Sequence, residues 1–146
     1  MKLLVTGGLG FIGSNFILKL LRENNDFDII NIDAELFGAD HKNLHEIKNS
    51  DKYHFEKGNI SNKKFMEEQI TKCDVVINFA AESFVDRSIS DANPFLVSNI
   101  RGAFTILDIA TKQKKRMIQI STDEVFGSLP NGTATEESKF NPSSPY

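Results

Sequence analysis

Apolar residues along this chain come in short runs broken by polar or glycine-rich stretches, and their period changes from one run to the next. Leu3 to Val5 is apolar throughout and stops at glycines. Beyond them Phe11, Ile12, Phe16, Ile17, Leu20 and Leu21 recur on one side while Ser14, Asn15 and Lys19 do not, which predicts a helix from about Phe11 to Arg22 that Asn24-Asn25-Asp26 ends. A second strand is expected from Asp28 to Ile32. The following stretch, Ala34 to Ser50, is polar, with a short helix around Lys42 to Ile47. Tyr53 to Glu56 alternates as a strand, and Ser61 is the expected N-cap of a helix through Ile70 with Glu67 and Glu68 outward. Asp74 to Ala80 is apolar nearly throughout, the pattern of a parallel strand buried on both faces. Asp91-Ala92-Asn93-Pro94 begins a further helix, since proline is tolerated in a first turn. Its apolar positions are Phe95, Val97, Ile100, Phe104, Leu107 and Ile109, and it is expected to end in the basic cluster Lys112, Lys114, Lys115, Arg116. Met117 to Ile120 reads as one more short buried strand. From Ser121 onward the chain is loop-like, with Gly127, Pro130, Gly132, Pro142 and Pro145.

Strands alternating with helices at this spacing predict an α/β fold, a doubly wound parallel sheet of the Rossmann type with helices on both faces. Ligands of such sheets bind at the carboxyl ends of the strands. Gly7, Gly10 and Gly13 fall three apart across the first strand–helix turn. Side chains there would keep a phosphate from the unpaired N–H groups of the helix start, so the turn is a candidate pyrophosphate seat. A loop that only turns a strand into a helix has the same pattern. Asp33, at the end of the second apolar run and twenty residues after Gly13, narrows the choice, because a dinucleotide fold carries its ribose-binding carboxylate there. A carboxylate accepts from both ribose hydroxyls and repels a 2′-phosphate, which favours NAD over NADP.

The 146 residues are 40% hydrophobic and 25% charged, enough for one ordinary core. A net charge of -3 gives no general attraction to nucleic acid or to an anionic membrane, so neither is an expected partner. Cys73 is the only cysteine, which rules out an internal disulfide and a thiolate metal site. His41, His45 and His54 lack ligand spacing and read as solvated surface, so no metal is expected. No apolar run reaches the roughly 18 residues of a membrane span. The expectation is a soluble, cytoplasmic protein.

Polar residues cluster where the strands end: Asn59-Ile60 after the third, Ala80-Ala81-Glu82-Ser83 after the fourth, Ser121-Thr122-Asp123-Glu124 after the fifth. Two adjacent carboxylates at the rim of a nucleotide crevice can serve as acid and base. A polar loop capping the next segment would look the same.

Five stretches carry a resemblance: T-G-G-L-G-F-I-G-S-N at 6 to 15, N-I-D-A at 31 to 34, V-I-N-F-A-A-E-S-F-V-D-R-S-I at 76 to 89, I-S-T-D-E-V-F-G at 120 to 127 and P-S-S-P-Y at 142 to 146. Together they resemble the dTDP-glucose 4,6-dehydratases, an NAD-dependent branch of the extended short-chain dehydrogenases/reductases. The resemblance implies that Tyr146 takes the proton of the sugar 4-hydroxyl with Thr122 bonded to the same oxygen, while hydride passes from C4 to NAD. Glu124 would then remove the C5 proton, Asp123 would protonate the departing C6 hydroxyl, and the hydride would return to C6. It also sets Gly7, Gly10, Phe11, Ile12 and Gly13 along the pyrophosphate, Asp33 on the ribose, Asn59 and Ile60 near adenine, and Ala80, Ala81, Ser83 and Ser121 on the nicotinamide half. Ser83, Thr122, Asp123 and Glu124 would meet a nucleotide-sugar substrate. Asn59 stands where that family usually has Asp, Phe84 where it has His, and Phe126 where it has Tyr.

The tyrosine belongs to Y-x-x-x-K, whose lysine falls beyond this sequence. The expected organisation is therefore an N-terminal NAD-binding domain over 1–146, with a substrate domain that lies outside this chain. In the family that second half grips the donor's nucleotide and supplies the helices of a homodimer. On that reading residues 1–146 alone bind NAD weakly and turn over little or nothing. Two other readings stay open: a UDP-sugar epimerase, decarboxylase or dehydratase of the same superfamily, and a non-catalytic dinucleotide-binding sensor.

Overall fold

The computed structural model describes residues 1–23 and 26–146, so the expected helix stop at Asn24-Asn25 lies outside the described residues. Strands β1 (Lys2–Thr6), β2 (Asp28–Asp33), β3 (Tyr53–Lys57), β4 (Val75–Asn78) and β5 (Arg116–Gln119) form one sheet in the order β3-β2-β1-β4-β5. Every neighbouring pair is parallel; Leu4, for example, pairs with Ile30 on one side and Val76 on the other. The chain winds outward from β1 to β3 and then returns across β1 to β4. Winding reverses there, which opens a crevice above the carboxyl ends of β1 and β4.

Successive residues of a strand face opposite sides, so each central strand feeds two cores. Leu3, Val5, Ile29, Tyr53, Val75 and Ile77 pack with Leu9, Ile17 and Leu44, under α1 (Phe11–Glu23) and a 3-10 helix, His41–Ile47. Leu4, Ile30, Ile32 and Val76 face the other way, onto Met66 and Ile70 of α2 (Lys63–Thr71) and onto Ile106 and Ile109. This double burial is why the central strands read as unbroken apolar runs. A side chain such as Leu4, fully withdrawn from water, contributes about 2 kcal/mol.

Several expectations need correction. The cap of α2 is Asn62, whose side chain accepts from the Phe65 N–H, because Ser61 spends its N–H and hydroxyl on Asn59 Oδ1 at 2.9 and 2.8 Å. β4 stops at Asn78, and Phe79-Ala80 already belongs to the loop beyond it. A short helix, α3 (Val85–Ser90), was not expected, since only Ser88 on it is buried and no apolar stripe marks it. Residues 93–112 form the helical run α4, with Pro94 in its first turn and a π-helical segment, Leu96–Gly102, before the α-helical Ala103–Lys112. It ends at Lys112 rather than through the whole basic cluster: Lys114 takes a left-handed φ of 54°, Lys115 Nζ donates to Cys73 O at 2.6 Å, and Arg116 opens β5. Ile100, Phe104 and Leu107 are exposed instead of facing the core, and β5 is an edge strand with Ile118 half exposed, not a buried one. Among the described residues no helix is long and apolar enough to cross a membrane.

Candidate functional site

The site grows from the turn after β1. Gly7 has a φ of +72°, and a Cβ there would lie 2.6 Å from the Ala80 nitrogen, so the β1 and β4 loops touch only because position 7 is bare. Gly13, in the first turns of α1, would likewise drive a Cβ into the Gly7 carbonyl. Around Gly10 the nearest obstacle to a Cβ is the Gly7 oxygen at 3.4 Å, so that position faces open space. The first-turn N–H groups of α1 have no intrahelical partner and carry the positive end of its dipole. Phe11 and Ile12 stand on the rim, mostly exposed.

Polar side chains at the strand ends hold this loop in shape. Gly8 N–H donates to Asn31 Oδ1 at 3.1 Å, and Asn31 Nδ2 donates to Tyr53 OH at 2.9 Å. Burial raises the Tyr53 phenol above its ordinary pKa. Thr6 Oγ1 donates to Asn78 Oδ1, and Asn78 Nδ2 donates to Gln119 Oε1 at 2.8 Å, so the polar row continues across β1, β4 and β5. Asp33 is buried at the end of β2 and accepts from Leu9 N–H at 3.0 Å and from Glu35 N–H at 2.9 Å. A carboxylate has about four acceptor sites, which leaves two for a ligand. One cleft of about 1020 Å³ runs over these ends, bordered by Gly7, Gly10, Asp33, Asn59, Ala80 and Ser83 and, at its far side, by Ser121, Thr122 and Tyr146. Gly13, Phe11, Ile12, Ile60 and Ala81 border it too. Open space at Gly10 and free acceptor sites on Asp33 fit a dinucleotide.

Thr122 caps a 3-10 turn, Asp123–Phe126, by accepting from Glu124 N–H at 3.2 Å, and its own hydroxyl donates to Asp123 Oδ1 at 3.2 Å. The polar cluster is therefore a cap as well as a candidate site. Thr122 and Tyr146 border the cleft; Asp123 and Glu124 sit on the turn beside it without lining it. The Tyr146 ring meets Phe95 edge-on at 6.0 Å. Phe126 turns away from the cleft to Phe140, with ring centres 5.8 Å apart. The lone thiol, Cys73, is buried, and burial pushes its pKa up to about 11, so it is no nucleophile.

A family model described as GDP-mannose 4,6 dehydratase matches residues 4–146. The chain belongs to that family. It is 42% identical, over its whole length, to the low-salt glycan biosynthesis protein Agl12 of Haloferax volcanii, and covers 47% of it. It is also 42% identical to a dTDP-glucose 4,6-dehydratase of Haemophilus influenzae, again covering all of this chain and 47% of the relative. The chain thus spans about half the length of the curated relatives it matches. Among solved structures, DesIV, a dTDP-glucose 4,6-dehydratase of Streptomyces venezuelae with NAD bound, superposes with a TM-score of 0.94 at 38% identity, covering 100% of this chain and 47% of that one. The Rossmann-type parallel sheet is common to both.

Within this GDP-mannose 4,6 dehydratase family member, the structure adds residues that the sequence did not single out. Ser98 and Asn99 of the π-helical segment border the cleft. The Asn99 side chain accepts from Glu82 N–H at 2.8 Å and donates to Glu82 O at 2.9 Å, pairing with the β4 loop as a neighbouring strand would. Glu82 is buried and pairs with Arg87 at 2.9 Å. Arg87 in turn lies over the Phe37 ring at 4.3 Å, and Phe37 meets Phe84 edge-on at 5.4 Å. Phe84 holds a φ of 87°, a strained value for a residue with a side chain, and it borders the cleft. The loops after β2 and β4 thereby meet over the glycine turn. In the sequence Asn99 was one polar residue among others on a helix, and nothing in its spacing marked it.

Proposed function

We propose that the protein of which residues 1–146 are part is an NAD-dependent dehydratase of a nucleoside-diphosphate glucose, dTDP-glucose, forming the 4-keto-6-deoxy sugar. The observation that carries this is one cleft with a dinucleotide seat at one end, at Gly10 and Asp33, and Thr122 and Tyr146 at the other. Further support comes from relatives named as dTDP-glucose 4,6-dehydratases and from NAD bound to one of them.

Gly7, Gly10 and Gly13 leave room for the pyrophosphate, Asp33 accepts from the ribose hydroxyls, Asn59 and Ile60 flank adenine, and Ala80, Ala81, Ser83 and Ser121 flank the nicotinamide half. NAD, when bound, supplies the hydride acceptor for C4 and the donor for C6. Tyr146 takes the proton of the 4-hydroxyl while Thr122 hydrogen-bonds that oxygen. A 4-keto group acidifies C5–H, so a carboxylate suffices as base: Glu124 removes that proton and Asp123 gives one to the leaving 6-hydroxyl. Since neither carboxylate lines the cleft, substrate binding has to draw the 3-10 turn Asp123–Phe126 inward. We assign residues 1–146 to cofactor binding and the grip on the sugar nucleotide to a further domain. We also take the protein to be cytoplasmic and, at full length, a homodimer.

The test is to supply the full-length protein with dTDP-glucose in deuterated water and follow product mass. Dehydration gives loss of one water with deuterium at C5. Replacing Glu124→Gln is expected to stop deuterium incorporation while leaving NAD bound, and unchanged incorporation would remove Glu124 as the base. Epimerisation without loss of water would overturn the dehydratase assignment.

A further inference from the structure

We infer that Glu35 sets the choice between NAD and its 2′-phosphorylated form, by holding Lys57 and His41 in pairs beside the ribose carboxylate. The inference rests on the NAD reading above. Asp33 and Lys57 are direct partners in the β2–β3 register, so their side chains leave the same face at the same edge of the sheet. Asp33 Oδ1 accepts from the Glu35 N–H at 2.9 Å, and Glu35 takes a left-handed φ of 55°. That backbone is uncommon for a residue with a Cβ and needs local support, which Asp33 supplies. Turned this way, Glu35 meets two cation-forming side chains: its Oε2 pairs with Lys57 Nζ, and its Oε1 lies 2.6 Å from His41 Nε2. The hydrogen bond from Lys57, with a second one from His41, holds the Glu35 carboxyl below the usual carboxylate range. His41 is braced from behind, its ring edge-on to Phe55 at 4.9 Å.

A 2′-phosphate is recognised by cations at this corner of the fold, where NAD needs only a carboxylate for the 2′-hydroxyl. Lys57 and His41 are suitable cations, and both are largely exposed. Glu35 spends them. With two carboxyl groups, Asp33 and Glu35, set against Lys57 and His41, the corner has no net positive charge to offer, and a phosphate dianion gains nothing there. Remove the Glu35 charge and the same corner offers Lys57 and His41 to a phosphate, opposed by Asp33 alone. Asp33 is itself partly neutralised as a repelling group, since two N–H dipoles already point at it.

The experiment compares NAD and NADP dissociation constants for the full-length protein, wild type against Glu35→Gln. The freed cations face solvent and are screened by it, so the NADP-to-NAD affinity ratio is expected to rise only roughly five- to tenfold. The rise should fade at high salt, because the freed cations face solvent. Adding Lys57→Met to Glu35→Gln should abolish most of it. A folding defect would weaken both dinucleotides together and leave the ratio unmoved, so a ratio unchanged while NAD still binds overturns the inference alone. A rise that survives Lys57→Met also overturns it. If the wild-type protein binds neither dinucleotide, the NAD reading falls and the inference falls with it.

Discussion

Gly7 and Gly10 sit three residues apart in one turn and answer to different demands. Gly7 is required by the fold: its φ of +72° is costly for any residue with a Cβ, and that Cβ would press on the backbone at Ala80. Gly10 meets nothing closer than 3.4 Å, so the fold tolerates a methyl there and only a ligand would feel it. Gly7→Ala is therefore expected to lower stability by about 2 kcal/mol or more, from left-handed strain of 1–2 kcal/mol plus the contact with Ala80. Gly10→Ala should change stability by less than about 1 kcal/mol, since loss of backbone freedom in the unfolded chain offsets small native strain. Its effect should fall on NAD affinity instead. Denaturant melts and NAD titrations on both variants check the division; equal losses of stability would show that Gly10 is also a packing residue.

Among the elements, the β4 loop depends on α4. Asn99 supplies the donor and the acceptor that a neighbouring strand would have given the Glu82 peptide, and it does so from a π-helical segment, a distortion often found beside functional sites. Asn99→Ala leaves the part-buried N–H and C=O of Glu82 without their partner, at a cost of about 1–3 kcal/mol. We expect a stability loss in that range and, since Ala80, Ala81 and Ser83 lie on the freed loop, an NAD affinity lowered roughly tenfold. Hydrogen exchange at Glu82 N–H should rise in parallel; exchange as slow as in the wild type would mean that another contact holds the loop. What the sequence made legible follows the same division. The central strands and the first helix were readable because double burial and helical period leave a direct mark on apolar spacing, and the turn at Gly7, Gly10 and Gly13 and the strand end at Asp33 were readable because such places restrict residue type. The Ser61 cap failed by one residue because a hydroxyl had a nearer partner in Asn59. The Glu82–Asn99 pairing and the Phe37–Phe84 contact left no mark, since each joins positions at least seventeen apart. Ile100, Phe104 and Leu107 misled because helical period reports an apolar face without saying what covers it.

That face decides how the molecule behaves as a whole. Leu96, Ile100, Phe104 and Leu107 on α4, Ile118 on β5 and Ile120 just past its end are all between 38% and 65% exposed, with Ile100, Phe104, Leu107 and Ile120 along the cleft, and among the described residues β5 is an edge strand. Apolar exposure next to a free edge favours association with another chain. A net charge of -3 provides little repulsion to oppose it. Produced as a free chain, residues 1–146 are accordingly expected to bind an apolar fluorescent dye and to form soluble aggregates that grow with concentration. The sheet core does not depend on these side chains, since Leu4, Ile32, Val76, Ile106 and Ile109 are buried without them. Phe104→Glu with Ile118→Glu should therefore cut dye binding severalfold and hold the chain monomeric, while stability moves by no more than about 0.5 kcal/mol per site. Light scattering and denaturant melts on the two forms separate the effects. Should the double variant lose several kcal/mol instead, as buried apolar residues do when replaced by a charge, Phe104 and Ile118 would have to be counted as core, and the open face would lie elsewhere.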